Sequence, residues 1–478
     1  MAETELDVQR HGIMLLGSSA GITLVGFLAT IFYAHWIGAD ILGQYFLFVS
    51  VLSILSLFCD LGIGYATTFR ICEGIDPERY FSAGLVIRLG LFALVTLVLT
   101  VFGGYFGNLN ANTLFWTLIA VLFLTTLTST ISLAIGASNR LGLAASVSLL
   151  NNITRICTQV LAIFLGFQVY GLIGGMVAGL LLELVISLRY VDYHIVRFKQ
   201  ENVRKIFSFS TWAFLSTACT TLFDNANLLI ISYFLTISDV GIFGVCWTFS
   251  FFALFISTAL CNTLFVKVSR WNTSGDKNAI TIAFSRATSY ALVLALPMLV
   301  GGALLGKNIL YYLYGSSFAL GATALIIIIG VRVVQSIFQL YSNFLMATDH
   351  VKHQFIGLCA GITINIILSV ILIPLLGLPG AAIASLANVL VSTIICAYFL
   401  QKIIPIHIDI DSIRDIIIAT IAMTVALLGA GMLHLNESLF TTATLIAFGA
   451  LVYCITLLSI NAQIRKDTAN TLKIRWIQ

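Results

Sequence analysis

Charge and proline are both scarce in this chain. Only 9% of its 478 residues are charged and only five are proline, whereas 59% are hydrophobic. A soluble domain carries about 25% charged residues, so the composition excludes a soluble globular protein. The apolar stretches are too long and continuous for the strands of a membrane β-barrel. The sequence therefore predicts a helical protein embedded in a lipid bilayer.

Motifs of catalysis and of nucleotide use are also missing. There is no Walker motif and no HExxH, and the nine cysteines form no CxxC pair. The net charge of +4 gives no indication of nucleic-acid binding. We therefore expect no enzymatic activity, no metal, no cofactor and no nucleic-acid partner, and we expect the cysteines to serve as small apolar packing residues.

Apolar runs of about 20 residues, each long enough to cross a bilayer, number fourteen. Both ends of the chain should then lie on the same side of the membrane. The predicted spans are 12–36, 41–67, 80–105, 112–137, 142–168, 170–190, 207–234, 239–266, 279–305, 317–346, 353–375, 378–401, 413–433 and 439–460.

Basic residues support this count. All of the 24 Lys and Arg residues fall on one predicted side except Lys307, the intramembrane Arg155 and Arg332, and the borderline Arg88. Because basic residues concentrate in cytoplasmic loops, we predict that both termini are cytoplasmic. A missed or additional helix would destroy this alternation.

The chain also repeats itself weakly. Residues 43–45 match 241–243 at an offset of 198, Arg88 matches Arg286 at the same offset, and 171–174 correspond to 377–380. Six helices per repeat give both copies the same orientation, an arrangement found in transporters with an interface cavity. We predict a six-helix lobe over residues 1–200, a second over 201–405, and two additional helices with a tail over 406–478.

Two arginines lie inside predicted spans. Arg155 falls between about residues 142 and 168, and Arg332 between about 318 and 346. A guanidinium keeps its proton and costs about 3 kcal/mol or more at membrane depth. It is tolerated where it faces water, a counter-ion or a ligand. The two charges therefore predict a polar cavity and an anionic substrate.

Polar side chains accompany both arginines at spacings of three, four, seven and eleven residues. Such spacing places each set on one face of its helix, as the wall of an aqueous cavity requires. The predicted substrate-binding residues are Arg155, Arg332, Asn151, Asn152, Gln159, Gln335, Gln339 and, with less support, Arg88.

Three acids, Asp60, Glu183 and Asp224, share this depth. They could neutralise the arginines in structural pairs, or they could bind a coupling H⁺ or Na⁺, and the sequence leaves both interpretations open. We predict an ion-coupling role for all three. Arg88 is the weaker substrate ligand, because its counterpart Arg286 lies near a helix end, and we expect Arg88 to extend toward the membrane interface.

Several segments of the chain resemble motifs of the polysaccharide-biosynthesis (Wzx-type) flippases. The likeness extends over nearly the whole chain, and the order and spacing of the motifs carry its specificity. The matching segments are 37–45 (IGADILGQY), 60–64 (DLGIG), Asp224, 239–243 (DVGIF), 347–349 (ATD) and 377–382 (GLPGAA).

This family is part of the multidrug/oligosaccharidyl-lipid/polysaccharide (MOP) exporter superfamily. The resemblance implies two six-helix lobes around a central cavity that is cationic where it holds a lipid phosphate. It also implies translocation of an undecaprenyl- or dolichyl-linked (pyro)phosphate saccharide across a prokaryotic cytoplasmic membrane, for polysaccharide or glycoprotein glycan assembly. H⁺ or Na⁺ gradients would drive transport, and glycan-assembly enzymes would be partners.

Two other functions compete with this interpretation. A cation-coupled multidrug antiporter of the same superfamily would need only twelve helices and would present acids rather than fixed arginines to a cationic drug. A membrane polymerase or ligase would need a substantial external loop, whereas the longest one predicted here runs from about residue 307 to 316. Both features favour the flippase.

Overall fold

Helices are the only regular secondary structure in the part of the chain that the computed structural model describes. It describes residues 2–103, 113–138, 140–406, 409–431 and 438–466, with side chains from residue 24 onwards except at 102, 103, 141, 209 and 212. The helices are α1 (Ala2–Asp60), α2 (Ile63–Cys72), α3 (Pro77–Gly103), α4 (Thr113–Ala137), α5 (Leu141–Phe164), α6 (Gln168–Tyr190), α7 (Gln200–Phe234), α8 (Ile237–Ser250), α9 (Phe255–Ser274), α10 (Lys277–Ile309), α11 (Ala322–Ala347), α12 (Val351–Leu376), α13 (Leu378–Gln401), α14 (Ile410–Gly431) and α15 (Leu439–Ile460).

Thirteen helical segments in the described ranges are long and apolar enough to cross a membrane. The predicted spans 12–36 and 41–67 account for the difference from fourteen, because both begin within α1. Gly38 lies between them with φ +74° and ψ −179°, which interrupts the helical geometry. Glycine adopts this backbone conformation without a steric penalty. The predicted all-α, polytopic membrane fold is confirmed.

The predicted end of the second span, at residue 67, is too late in the sequence. The span was expected to continue to residue 67, but α1 ends at Asp60, where Leu61 and Gly62 take positive φ angles of 44° and 76°. The Asp60 carboxylate accepts hydrogen bonds from the Gly62 nitrogen at 3.2 Å and the Gly64 nitrogen at 2.9 Å. These bonds satisfy amides at the start of α2, as a helix cap does.

Three further spans are built from more than one element, and in one of them, Ser316–Ala347, a 3₁₀ segment, Ser316–Gly321, precedes α11. A short 3₁₀ segment, Phe251–Leu254, connects α8 to α9 within the span Ile237–Ser274. A π-helical turn, Leu310–Tyr314, extends α10 within the span Lys277–Tyr314. Such departures from α geometry are tolerated at membrane depth where neighbouring protein satisfies the backbone.

Contacts divide the chain into two compact units, Met1–Gly241 and Ile242–Gln478. In the first unit, α1 packs against α3, α4, α5 and α7, while α5 packs along α6. In the second, α11 packs against α9, α10 and α13, and α14 and α15 pack on each other and on α10. The lobe boundaries proposed from the repeat, at residues 200 and 405, stay a prediction.

Some predictions concern parts of the chain that the structure does not describe. The two termini, which were predicted to be cytoplasmic, fall on Met1 and on residues 467–478. The loop near 106–111 lies outside the described residues entirely, and the loop near 434–438 does so except for Ser438.

Candidate functional site

Arg88 on α3 is buried against Asp60 at the end of α1. Its Nε lies 2.9 Å from the Asp60 carboxylate, and its two terminal nitrogens donate to Thr130 Oγ1 at 2.6 Å and Ser129 Oγ at 2.8 Å. Arg88 is only 5% exposed. The expectation that it extends to the membrane interface is therefore wrong, because Asp60 and the α4 hydroxyls hold it within the protein.

Arg155 has a different environment. It is half-buried on α5, and its Nη2 donates to Asn152 Oδ1 at 2.7 Å. Its Nε is buried without a hydrogen-bond partner. No carboxylate among the described residues lies within 4 Å of this guanidinium. Arg155 therefore retains a donor and an uncompensated positive charge with which it can bind an anion.

Close packing of α6 fixes the position of Arg155. A Cβ atom on Gly179 would lie 3.1 Å from Arg155 Cβ and 2.9 Å from Asn151 Oδ1. Only glycine at this position lets the two helices approach without displacing those side chains. The Asn151–Arg155 face of α5 is thus packed directly on α6.

Glu183 on α6 lies in a polar cluster with neutral partners. Ser132 Oγ on α4 donates to its carboxylate at 2.7 Å, and Asn151 Nδ2 on α5 donates to the other oxygen. No Lys or Arg nitrogen of the described residues lies within 4 Å of it. Hydroxyl and amide donors hydrogen-bond the carboxylate without neutralising its charge, so Glu183 has no ion-pair partner among the described residues.

Gln159 connects three helices. Tyr33 on α1 donates to its Oε1 at 2.7 Å, while its Nε2 donates to the Leu172 carbonyl on α6 at 2.7 Å and to Tyr45 at 3.3 Å. The side chain is 1% exposed. In this structure Gln159 therefore acts as a buried cross-link, and its role as a sugar ligand stays a prediction.

Arg332, in the second unit, is fully buried, with an exposed fraction of 0%. Its Nε donates to Ser250 Oγ at 2.9 Å and its Nη1 to Gln335 Oε1 at 2.6 Å. The guanidinium carbon lies 3.9 Å from the centre of the Trp247 ring and 4.0 Å from that of Phe251. These cation–π contacts stabilise a desolvated guanidinium. A ligand would reach Arg332 only after Trp247 or Phe251 moved.

The remaining predicted residues are placed as follows. Gln339 Oε1 on α11 accepts from Ser257 at 2.9 Å and from Thr258 at 3.4 Å, both on α9. Asp224 is exposed on α7. The structure thus brings Asp60 to Arg88, Asn151 to Glu183, Asn152 to Arg155, and Gln335 to Arg332. The substrate-binding and ion-coupling roles of these residues stay predictions.

Sequence reasoning missed a buried polar cluster between α12 and α13. Asn365 is 0% exposed and Asn388 is 4% exposed. Both amide atoms of Asn365 and the Nδ2 of Asn388 lack a hydrogen-bond partner among the described residues. Two asparagines in strongly apolar helices were the available signal. Neither asparagine carries a charge, and charge at membrane depth was the property from which the other site residues were predicted.

The fold defines the class of protein. A lipid II flippase MurJ structure in an inward closed conformation matches with a TM-score of 0.75 and 16% identity, covering 93% of this chain and 98% of that one. An inward-facing MATE-family multidrug resistance transporter of the MOP superfamily matches with a TM-score of 0.66 and 15% identity, covering 82% of this chain and 98% of that one. The chain has the fold of the MOP-superfamily transporters.

Sequence comparison then identifies the family. The profile of the polysaccharide biosynthesis protein family matches residues 34–323, more than half of the chain, and the protein belongs to this family. Two Haloferax volcanii proteins are similar over nearly their full length. They are "Probable low-salt glycan biosynthesis flippase Agl15", 27% identical over 99% of this chain and 100% of its own, and "Probable flippase AglR", 25% identical over 97% and 98%. The family resemblance inferred from the motifs is confirmed.

Proposed function

We propose that this protein is a flippase that translocates a polyprenyl- or dolichyl-(pyro)phosphate-linked oligosaccharide across the cytoplasmic membrane by alternating access. Membership of the polysaccharide biosynthesis family supports this function, as do two relatives named as flippases, one of them for glycan biosynthesis. Glycan-assembly enzymes would supply the substrate and use the product.

At the level of residues, the proposal rests on the environment of Arg155. Its guanidinium has one amide partner, one buried donor without a partner and no carboxylate of the described chain within 4 Å. A phosphate or diphosphate is bound well by a planar donor that stays charged. Arg155 would hold the lipid phosphate, with Asn152 beside it for a sugar hydroxyl.

Arg332 is proposed as a second phosphate ligand in another conformation. Trp247 and Phe251 cover it here, so its participation requires those rings to separate. Gln335 and Gln339 would then contact sugar hydroxyls from the same helix. An alternating-access cycle supplies states in which such contacts exchange.

Glu183 is the strongest of the three proposed ion-coupling acids. Only neutral donors contact its carboxylate, whereas Asp60 is engaged by Arg88 and by the start of α2. Asp224 is exposed on α7, and it stays an ion-coupling candidate only because it lies within a predicted membrane span. We expect Glu183 to bind the coupling H⁺ or Na⁺.

Charge distribution supports the proposed orientation. Nearly all basic residues fall on one predicted side of the membrane, so both termini would be cytoplasmic. The location would be the cytoplasmic membrane of a prokaryotic cell, where lipid-linked saccharides are assembled.

The decisive experiment measures which leaflet holds the lipid-linked saccharide after depletion of the protein. Accumulation on the cytoplasmic face supports the proposal, and an unchanged distribution contradicts it. Complementation with Arg155→Ala should fail, and Arg155→Lys should restore transport only in part because lysine cannot bind phosphate in a bidentate manner. Arg189→Ala, which removes an exposed arginine from α6, is the matched control and should complement fully.

A multidrug antiporter is the second candidate, favoured only by the MATE fold. The two curated relatives are named as flippases, so this function is less supported. Loss of drug efflux in a deletion strain with normal surface glycans would favour it over the flippase.

A further inference from the structure

A polar cavity lies at the beginning of α10 in the second unit. It has a volume of about 490 Å³, within the range of small-ligand sites, and it opens to the surface. Seven of its nine lining residues have polar or charged side chains. The residues that line it include Lys277, Asn278, Thr281, Ser285, Arg286 and Gln463.

An apolar groove adjoins this cavity. It has a volume of about 440 Å³, and Arg286 is the only charged residue in its lining, which otherwise includes Leu260, Leu264, Trp271 and Tyr290. Ile282 and Arg286 line both spaces. The two spaces are therefore neighbours on α10, with Arg286 at their common edge.

Helix geometry explains this arrangement. Successive residues advance by about 100° around an α-helix, so Lys277, Thr281 and Ser285 share one face of α10. Ala283, Ala287 and Tyr290 share another face, and Arg286 lies between the two. From Lys277 to Arg286 the helix rises about 14 Å. The polar face thus begins at the helix end and meets the apolar groove at Arg286.

The charge of the polar cavity is net positive. Lys277 and Arg286 are exposed, and no carboxylate of the described residues lies within 4 Å of either one. Asp409, also in the lining, accepts from the Ser412 nitrogen at 3.1 Å and so caps α14. The Asp276 carboxylate caps the first turn of α10 by accepting from the Ala279 nitrogen at 3.0 Å, so the positive charge of the cavity comes from the two side chains. An anion is the complementary ligand.

We propose that the polar cavity and the apolar groove together bind one anionic membrane phospholipid. Its phosphate would contact Lys277 and Arg286, and an acyl chain would lie along Leu260, Leu264 and Trp271. Basic pockets between membrane helices bind the headgroups of anionic lipids in this way. The ligand is a lipid of the surrounding bilayer and not the transported one, because none of the proposed substrate-binding residues lines either space.

The test uses the full-length protein, purified and stripped of lipid, with phosphatidylglycerol as the anionic probe and phosphatidylcholine as the zwitterionic one. Native mass spectrometry would measure retained lipid over a titration. The variant Lys277→Gln/Arg286→Gln should bind phosphatidylglycerol about 30-fold more weakly. Lys267→Gln/Arg270→Gln, which removes two exposed charges that line neither space, should bind it normally. An equal loss in both variants would overturn the proposal.

The apolar half needs its own variant. Ala283→Phe should fill the groove and weaken binding of long-chain phosphatidylglycerol, while leaving a dihexanoyl phosphatidylglycerol unaffected. Melting temperature would report whether this variant is folded. Inorganic phosphate that displaces the lipid at equal concentration would show an ion site instead. Displacement by undecaprenyl phosphate with loss of transport in Lys277→Gln/Arg286→Gln would assign the site to the transported lipid and refute the inference.

Discussion

Asp60→Asn tests whether Asp60 is a structural partner of Arg88. The substitution keeps the size of the side chain and one oxygen, which can still accept from the Gly64 amide, but it removes the negative charge and the second oxygen, which accepts from the Gly62 amide. Arg88, 5% exposed, would keep only Thr130 and Ser129 as partners. The variant therefore removes the charge of this contact together with one hydrogen bond at the start of α2.

The expected loss of stability follows from the burial of the pair. Removing one member of a buried ion pair costs about 3 to 5 kcal/mol, and we take the lower value because the Asp60 side chain is 25% exposed. About 3 kcal/mol corresponds to a fall of roughly 6 to 12 °C in melting temperature for a cooperative unit of the size of Met1–Gly241. A thiol-reactive dye can follow melting, because Cys59 beside Asp60 is 1% exposed.

A double-mutant cycle provides the control. Arg88→Met alone leaves a carboxylate beside an apolar side chain, whereas Asp60→Asn/Arg88→Met removes both charges. We expect the double variant to melt higher than the sum of the two single losses implies, since neither charge is left uncompensated. Melting of Asp60→Asn within 2 °C of the parent, together with abolished transport, would refute the structural role and return Asp60 to ion coupling.

Three further predictions concern other contacts and the orientation. Gln159→Leu should lower stability by about 1 to 3 kcal/mol, because it leaves the buried Tyr33 hydroxyl without its acceptor; denaturation in detergent would measure this, and an unchanged midpoint would contradict it. Glu183→Gln should abolish uphill transport while preserving exchange between equal substrate pools, measured in proteoliposomes with and without an ion gradient. An impermeant maleimide should label Lys307→Cys in intact cells but Arg197→Cys only after permeabilisation; the reverse pattern would invert the topology.

The sequence predicted the membrane class and nearly every span, because length and apolar content determine which segments can cross a bilayer. It did not predict the conformations that interrupt those spans. Gly38 lies in the predicted gap between spans 12–36 and 41–67, but hydropathy did not show that helical structure continues directly on both sides of this single residue. The break after Asp60 depends likewise on packing: a Cβ on Gly62 would lie 2.7 Å from the backbone nitrogen of Phe214 on α7. Such positions follow from tertiary contacts, which hydropathy does not contain.

At the candidate site, sequence reasoning found the charges but not their partners. Asp60 and Arg88 were both selected, yet their pairing depends on how α1 and α3 are placed against each other. Trp247 is 85 residues from Arg332 in the sequence. Aromatic residues are common in apolar helices, so nothing in the sequence indicated that Trp247 would contact Arg332. Helical spacing correctly predicted only the short-range contacts, such as Arg155 with Asn152 and Arg332 with Gln335.

The three arginines differ in the protein contacts that a phosphate would have to displace in order to bind them. A phosphate that binds Arg88 must displace Asp60, and one that binds Arg332 must displace Ser250 and an aromatic ring, so part of the new interaction is lost in each exchange. At Arg155 a phosphate would displace no counter-ion, because no carboxylate of the described residues lies within 4 Å of its guanidinium. A bound phosphate would compensate the positive charge of Arg155, which makes the binding free energy more favourable. In this conformation a carboxylate of the described residues pairs with Arg88, Arg332 is covered by neutral and aromatic groups, and phosphate binding by Arg155 stays a proposal.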